Sequence, residues 1–244
     1  MSVINKIRKI ITPKEPHCTA VILAAGNSQR MGRDKILMNI GGAPVIAYTL
    51  KAFQNSERID EIVVVTKRDS LQNLADICSK YNISKVSRVV CGGSSRAESA
   101  LIGVSNANEN ATVIAIHDGA RPFPSALLIE RTVYAAEQFI AAAPAVRATD
   151  TVRIMNKKGA VVDTPDRNLV ALIQTPQVFN ADIIKAALTK AVEKNLPVTD
   201  DCSAVEAMGI KVTVVDGEPD NIKLTTKRDA YVAERILADR GELM

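Results

Sequence analysis

The sequence predicts a single α/β domain in which a mostly parallel sheet is covered by helices on both faces, with a β-hairpin arm protruding from it. Three observations carry this prediction. Apolar, β-branched runs alternate with segments of helical periodicity as far as Phe139. The runs are continuous rather than alternating in polarity, as parallel strands buried on both faces require. Past Ala148 the rhythm changes to two weakly apolar runs around the polar turn Asn156-Lys157-Lys158-Gly159, the pattern of a hairpin. Alternating strand and helix in this order define a Rossmann-like architecture.

Element by element, Thr19–Ala24 is a short apolar run ending in Ala-Gly, suited to a buried first strand. Pro44–Asn55 reads as a helix with Pro44 in its first turn. Glu61–Thr66 is the second strand, and Ser70–Tyr81 a helix with Leu71, Leu74, Ala75 and Cys78 on one face. Val86–Val90 and Thr112–His117 are further strands, each followed by a helix, Ser95–Val104 and Ser125–Phe139. Thr151–Met155 and Ala160–Asp163 form the hairpin. Its strands carry few large apolar residues, so it projects from the domain. Ala181–Lys194, Asp200–Met208 and Lys227–Arg240 are helices, and Lys211–Val215 is a late strand. Residues 1–18, basic and with Ile4, Ile7, Ile10 and Ile11 at helical spacing before Pro13 and Pro16, read as an N-terminal extension. The domain is expected over 19–240 and the arm at about 149–168.

The 244 residues are 47% hydrophobic, enough to bury a core without disulfide staples. Four scattered cysteines with no CxxC pair fit reduced thiols in the cytoplasm. No apolar run approaches the roughly 20 residues of a membrane helix, and no signal-peptide core opens the chain. A net charge of +4, with no Trp and only 4 Phe and 4 Tyr, argues against nucleic-acid binding.

Ligands of open parallel sheets sit beyond the strands' carboxyl ends. There, after the first strand, lies LAAGNSQRMGRDK (Leu23–Lys35). It is neither GxGxxG nor a Walker A loop. Its small residues Ala24, Ala25 and Gly26 let backbone N–H groups approach an anion, while Arg30, Arg33 and Lys35 neutralise it. A solvated basic turn is the plainer alternative for this loop taken alone. The fourth strand ends in HDGARP (His117–Pro122), which sets Asp118 where a carboxylate can meet Mg²⁺ and phosphate oxygens. His117 reads as structural.

The loop LAAGxxxRMG…K resembles the signature of nucleotidyltransferases that activate sugars and polyols. HDGARP is similar to the H-D-A-A-R-P motif of the 2-C-methyl-D-erythritol 4-phosphate cytidylyltransferase family, with Gly119 in place of the commoner Ala. The likeness continues through CGGSSRAESA (Cys91–Ala100), ATDTVR (Ala148–Arg153), TPDRNL (Thr164–Leu169), QTPQVF (Gln174–Phe179), VTDDCSAVE (Val198–Glu206) and DNIKLTT (Asp220–Thr226), and so covers about Ala20 to Leu237. The first loop departs from the family by running directly from Gly32 through Arg33-Asp34 to Lys35.

The resemblance implies transfer of a cytidylyl group from CTP to methylerythritol phosphate, in isoprenoid precursor synthesis, with ribitol 5-phosphate as the alternative acceptor. It implies Arg30, Lys35, Arg167 and Lys223 as catalytic cations. Ala24, Ala25, Gly26, Gly93, Ser94, Ser99 and Gly119 would bind CTP. Arg121, Thr151 and Thr199 would touch the acceptor, and Asp118 with Asp220 would hold Mg²⁺. It further implies a homodimer through the arm, with Thr151 and Arg167 reaching the neighbouring subunit's site. A nucleotide-binding regulator without turnover, the rival of another class, would need no such set of cations.

Overall fold

The structure is a computed structural model that describes residues 17–26 and 35–242. Most of the expected N-terminal extension and the expected catalytic Arg30 lie outside the described residues. The sheet is built first from β1 (Cys18–Leu23), β4 (Glu61–Thr66), β5 (Val86–Cys91) and β6 (Val113–Asp118). These four run parallel, with β1 between β4 and β6, so that Ile22 lies beside both Val64 and His117. Every residue of β4 is buried, as are all but the last of β1 and of β6. That burial is the reason for their unbroken apolar runs.

Successive β1 side chains point to opposite faces. Ala20 and Ile22 join one core with α1 (Val45–Gln54), α2 (Leu71–Lys80), α4 (Ala126–Phe139) and α7 (Lys227–Arg240). Val21 joins the other with α3 (Arg96–Ser105), α5 (Ala181–Glu193) and α6 (Asp201–Glu206). The sheet is therefore covered on both faces, as expected. Most of the helices start on polar caps: Ser95 accepts from the Glu98 N–H, Ser125 from Leu128, and Thr226 and Asp200 each complete a capping box.

Beyond β6 the sheet is mixed. β11 (Gln177–Asn180) lies antiparallel between β6 and β7 (Ala141–Arg147). Both β10 (Ala171–Ile173) and β12 (Thr213–Asp216) also pair with β7, antiparallel and parallel respectively. β7 has no counterpart in the sequence reading, because AAAPAVR carries few β-branched residues and an internal proline. Tertiary packing makes it a strand: Ala141, Ala142 and Ala143 are fully buried, and the Pro144 carbonyl accepts from the Gln174 N–H at 2.7 Å.

Two small sheets stand apart. β2 (Asn39–Ile40) and β3 (Ala43–Pro44) flank Gly41 and Gly42, which both adopt positive φ (53° and 99°) and so close a tight turn that residues with a Cβ resist. β8 (Ile154–Met155) and β9 (Val161–Asp163) pair antiparallel where the hairpin was expected, but over fewer residues. Met155 and Val162 are about three-fifths exposed there.

Candidate active site

The carboxyl ends of the four parallel strands open into a cavity of about 570 Å³. Leu23 to Gly26 come from the end of β1, Thr66, Lys67 and Arg68 from β4, Cys91 to Gly93 from β5, and Asp118 from β6, while Lys35 and Lys223 close it from two loops. The first turn of α3 faces the same space through Ser95, Arg96 and Ser99. Its N-terminal backbone dipole adds positive potential there. The arrangement is that of a polyanion site: Lys35, Lys67, Arg68, Arg96 and Lys223 line one concave face.

Asp118 is the hub. Its Oδ2 lies 2.8 Å from Lys223 Nζ and 3.6 Å from Arg121 Nε, and its Oδ1 lies 3.7 Å from an Arg96 nitrogen. Burial alone would raise the Asp118 carboxyl, but the charge of Lys223, then those of Arg96 and Arg121, outweigh it and hold the group well below the usual carboxylate range. Arg121 is itself fixed by donating to the Asn221 carbonyl at 2.7 Å. Its Nε is buried and makes no hydrogen bond to any described residue. Burial lowers the Arg121 pKa, with Asp118 opposing.

Arg96 was not among the residues singled out from the sequence. It sits at the first position of α3, inside the CGGSSRAESA segment, and grips Asp201 with both terminal nitrogens at 2.9 and 2.7 Å. The Asp201 carboxylate is fully buried. Burial opposes charge on both partners. Asp201 keeps the guanidinium firmly protonated, whereas burial pushes the Asp201 carboxyl upward against the pull of Arg96. The bidentate geometry is that of an ionised pair.

The CTP-binding candidates divide. Ala24, Ala25, Gly26, Gly93, Ser94 and Ser99 line the cavity. Ala24, however, donates its N–H to Val65 O at 2.7 Å, so that amide serves the sheet rather than an anion. The Gly93 N–H goes to Ser99 Oγ at 3.1 Å, and the Ser94 N–H and hydroxyl both go to the Glu98 carboxylate at 2.7 and 2.6 Å. Gly119 is buried and does not line the cavity. Its N–H donates to Leu23 O and its carbonyl accepts from Thr49 Oγ1. A Cβ at Gly119 would stand 3.0 Å from both Ile46 Cδ1 and Leu23 O, a tight fit that matches glycine at this place. Gly119 thus packs β6 against the end of β1.

The remaining candidates lie farther out. Thr199 is exposed, its N–H donating to Ser203 Oγ. Thr151 is exposed ahead of β8, and Arg167 is exposed after β9, donating to Thr149 O at 3.2 Å. None of these three lines the cavity of its own chain. Asp220 is turned away from the cavity, its Oδ2 accepting from Arg240 at 3.1 Å. Among the described residues no three His, Cys, Asp or Glu side chains converge on a metal position. Among the described residues, Asp118 is then the single carboxylate lining the cavity, a hard oxygen donor of the kind that shares Mg²⁺ with phosphate oxygens and water.

The 2-C-methyl-D-erythritol 4-phosphate cytidylyltransferase (IspD) family model matches residues 18–239. A Clostridium botulinum protein named 2-C-methyl-D-erythritol 4-phosphate cytidylyltransferase is 40% identical over 221 residues, covering 90% of this chain and 96% of its own length. A Caldanaerobacter subterraneus protein of the same name is also 40% identical, over 90% of this chain and 98% of its own. Among solved structures, 4-diphosphocytidyl-2C-methyl-D-erythritol synthase from Anaerococcus prevotii superposes with a TM-score of 0.83 at 34% identity, covering 91% of this chain and 96% of that one. The Thermus thermophilus cytidylyltransferase superposes at 0.74 and 27% identity, over 89% and 98%. The mixed sheet, the cation-ringed Asp118 and this end-to-end similarity agree: the chain belongs to the 2-C-methyl-D-erythritol 4-phosphate cytidylyltransferase family.

Proposed function

We propose that this chain transfers the cytidylyl group of CTP to 2-C-methyl-D-erythritol 4-phosphate, giving the CDP-polyol and pyrophosphate. The observation that carries the reading is Asp118, held at the strand ends by Lys223, Arg121 and Arg96. An oxygen of the acceptor's phosphate attacks the α-phosphorus of CTP. The new P–O bond forms as the bond to the bridging oxygen breaks, and pyrophosphate leaves with the electron pair. No covalent enzyme intermediate is needed, so the work is positioning two anions and stabilising the charge between them.

Lys35 at the cavity mouth, with Arg30, stabilises the pentacoordinate phosphorus. Lys223 and Arg121 orient the acceptor phosphate, and Thr199 approaches the polyol. Ser94 and Ser99 mark the nucleoside end, where the Ser94 donors pass from Glu98 to the ligand. Asp118 would hold Mg²⁺, which when bound neutralises phosphate charge.

We also read the active form as a homodimer in which the arm brings Thr151 and Arg167 to the neighbouring subunit's site. Support comes from the exposed apolar side chains Met155, Val162, Leu169 and Leu172 along the arm and its return. Such a two-stranded ribbon is poorly stable alone. Four unpaired cysteines fit a cytoplasmic enzyme, and no helix of the described residues is long and apolar enough to cross a membrane.

The deciding experiment is pyrophosphate release with CTP and each acceptor in parallel. The reading expects turnover with methylerythritol phosphate. Faster turnover with ribitol 5-phosphate, or none with either, overturns it. Mixing Lys35→Ala subunits with Arg167→Ala subunits should restore activity if sites are shared. A fully active monomer in sedimentation refutes that sharing.

A further inference from the structure

Asp201 cannot touch a substrate, because its side chain is fully buried. Yet it is not idle within the fold. Its two oxygens accept from the two terminal nitrogens of Arg96 at 2.9 and 2.7 Å. Its own backbone N–H, with that of Cys202, donates to Gln177 Oε1 at 3.0 Å, and Gln177 Nε2 donates back to Asp200. The first turn of α6 is thereby fastened to β11, and Asp201 presents a fixed carboxylate to the first turn of α3. Arg96 uses that fixed partner on one side and reaches Asp118 Oδ1 at 3.7 Å on the other, while lining the cavity. Lys223 and Arg121 approach the other oxygen, Oδ2.

We propose that Asp201 is a positioning residue for cytidylyl transfer: it holds the Arg96 guanidinium in the cavity wall, and Arg96 fixes the Oδ1 side of the Asp118 carboxylate. This rests on the reading of Asp118 as part of the reacting centre. The geometry separates the two ends of the carboxylate by source. The Lys223 and Arg121 side is set by loops, whereas the Arg96 side is set by two helix starts and a strand. The Arg96 side is the one backed by a fully buried carboxylate, Asp201. A carboxylate that must keep its orientation while polyphosphate enters and pyrophosphate leaves needs such a support.

A buried ion pair is weak evidence for stability, since apolar residues of similar volume often replace it at no loss. That fact supplies the test. The double variant Arg96→Met with Asp201→Leu replaces the pair by packing, and Asp201→Asn keeps the shape while removing the charge. Thermal melting, kcat and KM for CTP, and CTP affinity by calorimetry are measured on each beside wild type. The positioning role expects the double variant to melt close to wild type while kcat falls roughly 10–100-fold. Asp201→Asn should lose turnover in the same direction, and CTP binding should weaken far less than turnover. A folded double variant, or a folded Asp201→Asn, with kcat within about twofold of wild type overturns the proposal. If the double variant does not fold, Asp201→Asn alone decides. A wild-type protein with no turnover would sink the functional reading instead, so the two failures are distinct.

Discussion

The Thr175 hydroxyl lies 3.0 Å from His117 Nδ1, and its direction can be assigned from what surrounds it. His117 Nε2 faces the Arg121 carbonyl at 2.9 Å, which can only accept, so Nε2 carries the proton. Nδ1 is then bare and accepts from Thr175. The Thr175 oxygen in turn accepts the Asp118 N–H at 3.1 Å. One fully buried, neutral imidazole thus ties the end of β6, the Arg121 loop and the approach to β11 into a single unit behind Asp118.

Stability should therefore depend on His117 as pH falls. Burial pushes His117 down to about 4, against about 6.5 in an unfolded chain. Between those values the unfolded state binds a proton that the native state refuses. The contribution is fully present above about pH 6.5 and is lost as pH falls toward 4, on the order of 3 kcal/mol across the window. Asp118 has a depressed carboxyl, so its contribution fades in the same direction but at lower pH. Urea unfolding between pH 7 and 5 should show a slope in wild type that His117→Asn reduces. Equal slopes would refute this account of His117.

Thr175→Val should be costly for its size. The change removes one hydroxyl at a site only 4% exposed, and leaves both the Asp118 N–H and His117 Nδ1 without a partner. About 1–3 kcal/mol should be lost in equilibrium unfolding, while Thr175→Ser recovers most of it. A neutral Val variant would mean that water replaces the hydroxyl.

The parallel half of the sheet was legible because burial on both faces leaves unbroken runs such as Glu61–Thr66, whose bounds the structure reproduces. The helix starts expected at Ser95 and Ser125 fall within one residue of the observed ones, and the two serines prove to be the caps. β7 was not, since Ala141 to Ala143 become a strand only under tertiary packing. In the site, the HDGARP pattern pointed to Asp118. Arg96 escaped notice because its meaning depends on Asp201, a residue over a hundred positions away that only the fold brings to it. Asp220 was set beside Asp118 by the resemblance, yet its carboxylate accepts from Arg240 of α7.

Gly103→Ala tests how tightly α3 is seated. Alanine is the better helix former by about 1 kcal/mol. Here, however, a Cβ would meet Val21 Cγ1 at 2.3 Å and Val65 Cγ2 at 2.8 Å, both buried in the sheet beneath. Overpacking should win, with a net loss of about 1–3 kcal/mol. Because Ser94 and Ser95 lead into α3 and Ser99 lies in its first turns, CTP affinity should weaken as well. Thermal melting with calorimetric titration checks both, and an Ala variant more stable than wild type would show that the helix can shift freely.

Lys223→Gln separates charge from shape at the hub. The side chain is 40% exposed, so its loss should leave the fold intact. Its ammonium is the nearest cation to Asp118, and in the proposed reaction it also meets the acceptor phosphate. Removing one such preorganised charge should lower kcat by about 10²–10³-fold. A second effect follows from electrostatics. Burial raises the Asp118 carboxyl, and Lys223 is the largest influence opposing it. Without Lys223 the carboxyl must rise toward its ordinary range, so Asp118 becomes protonated at higher pH than in wild type. The acidic limb of the kcat/KM profile should move upward in pH in Lys223→Gln. Arg96→Gln should move it in the same direction by less, since Arg96 stands 3.7 Å away rather than 2.8 Å. If the limb stays in place in both variants, some group other than Asp118 governs activity on the acid side.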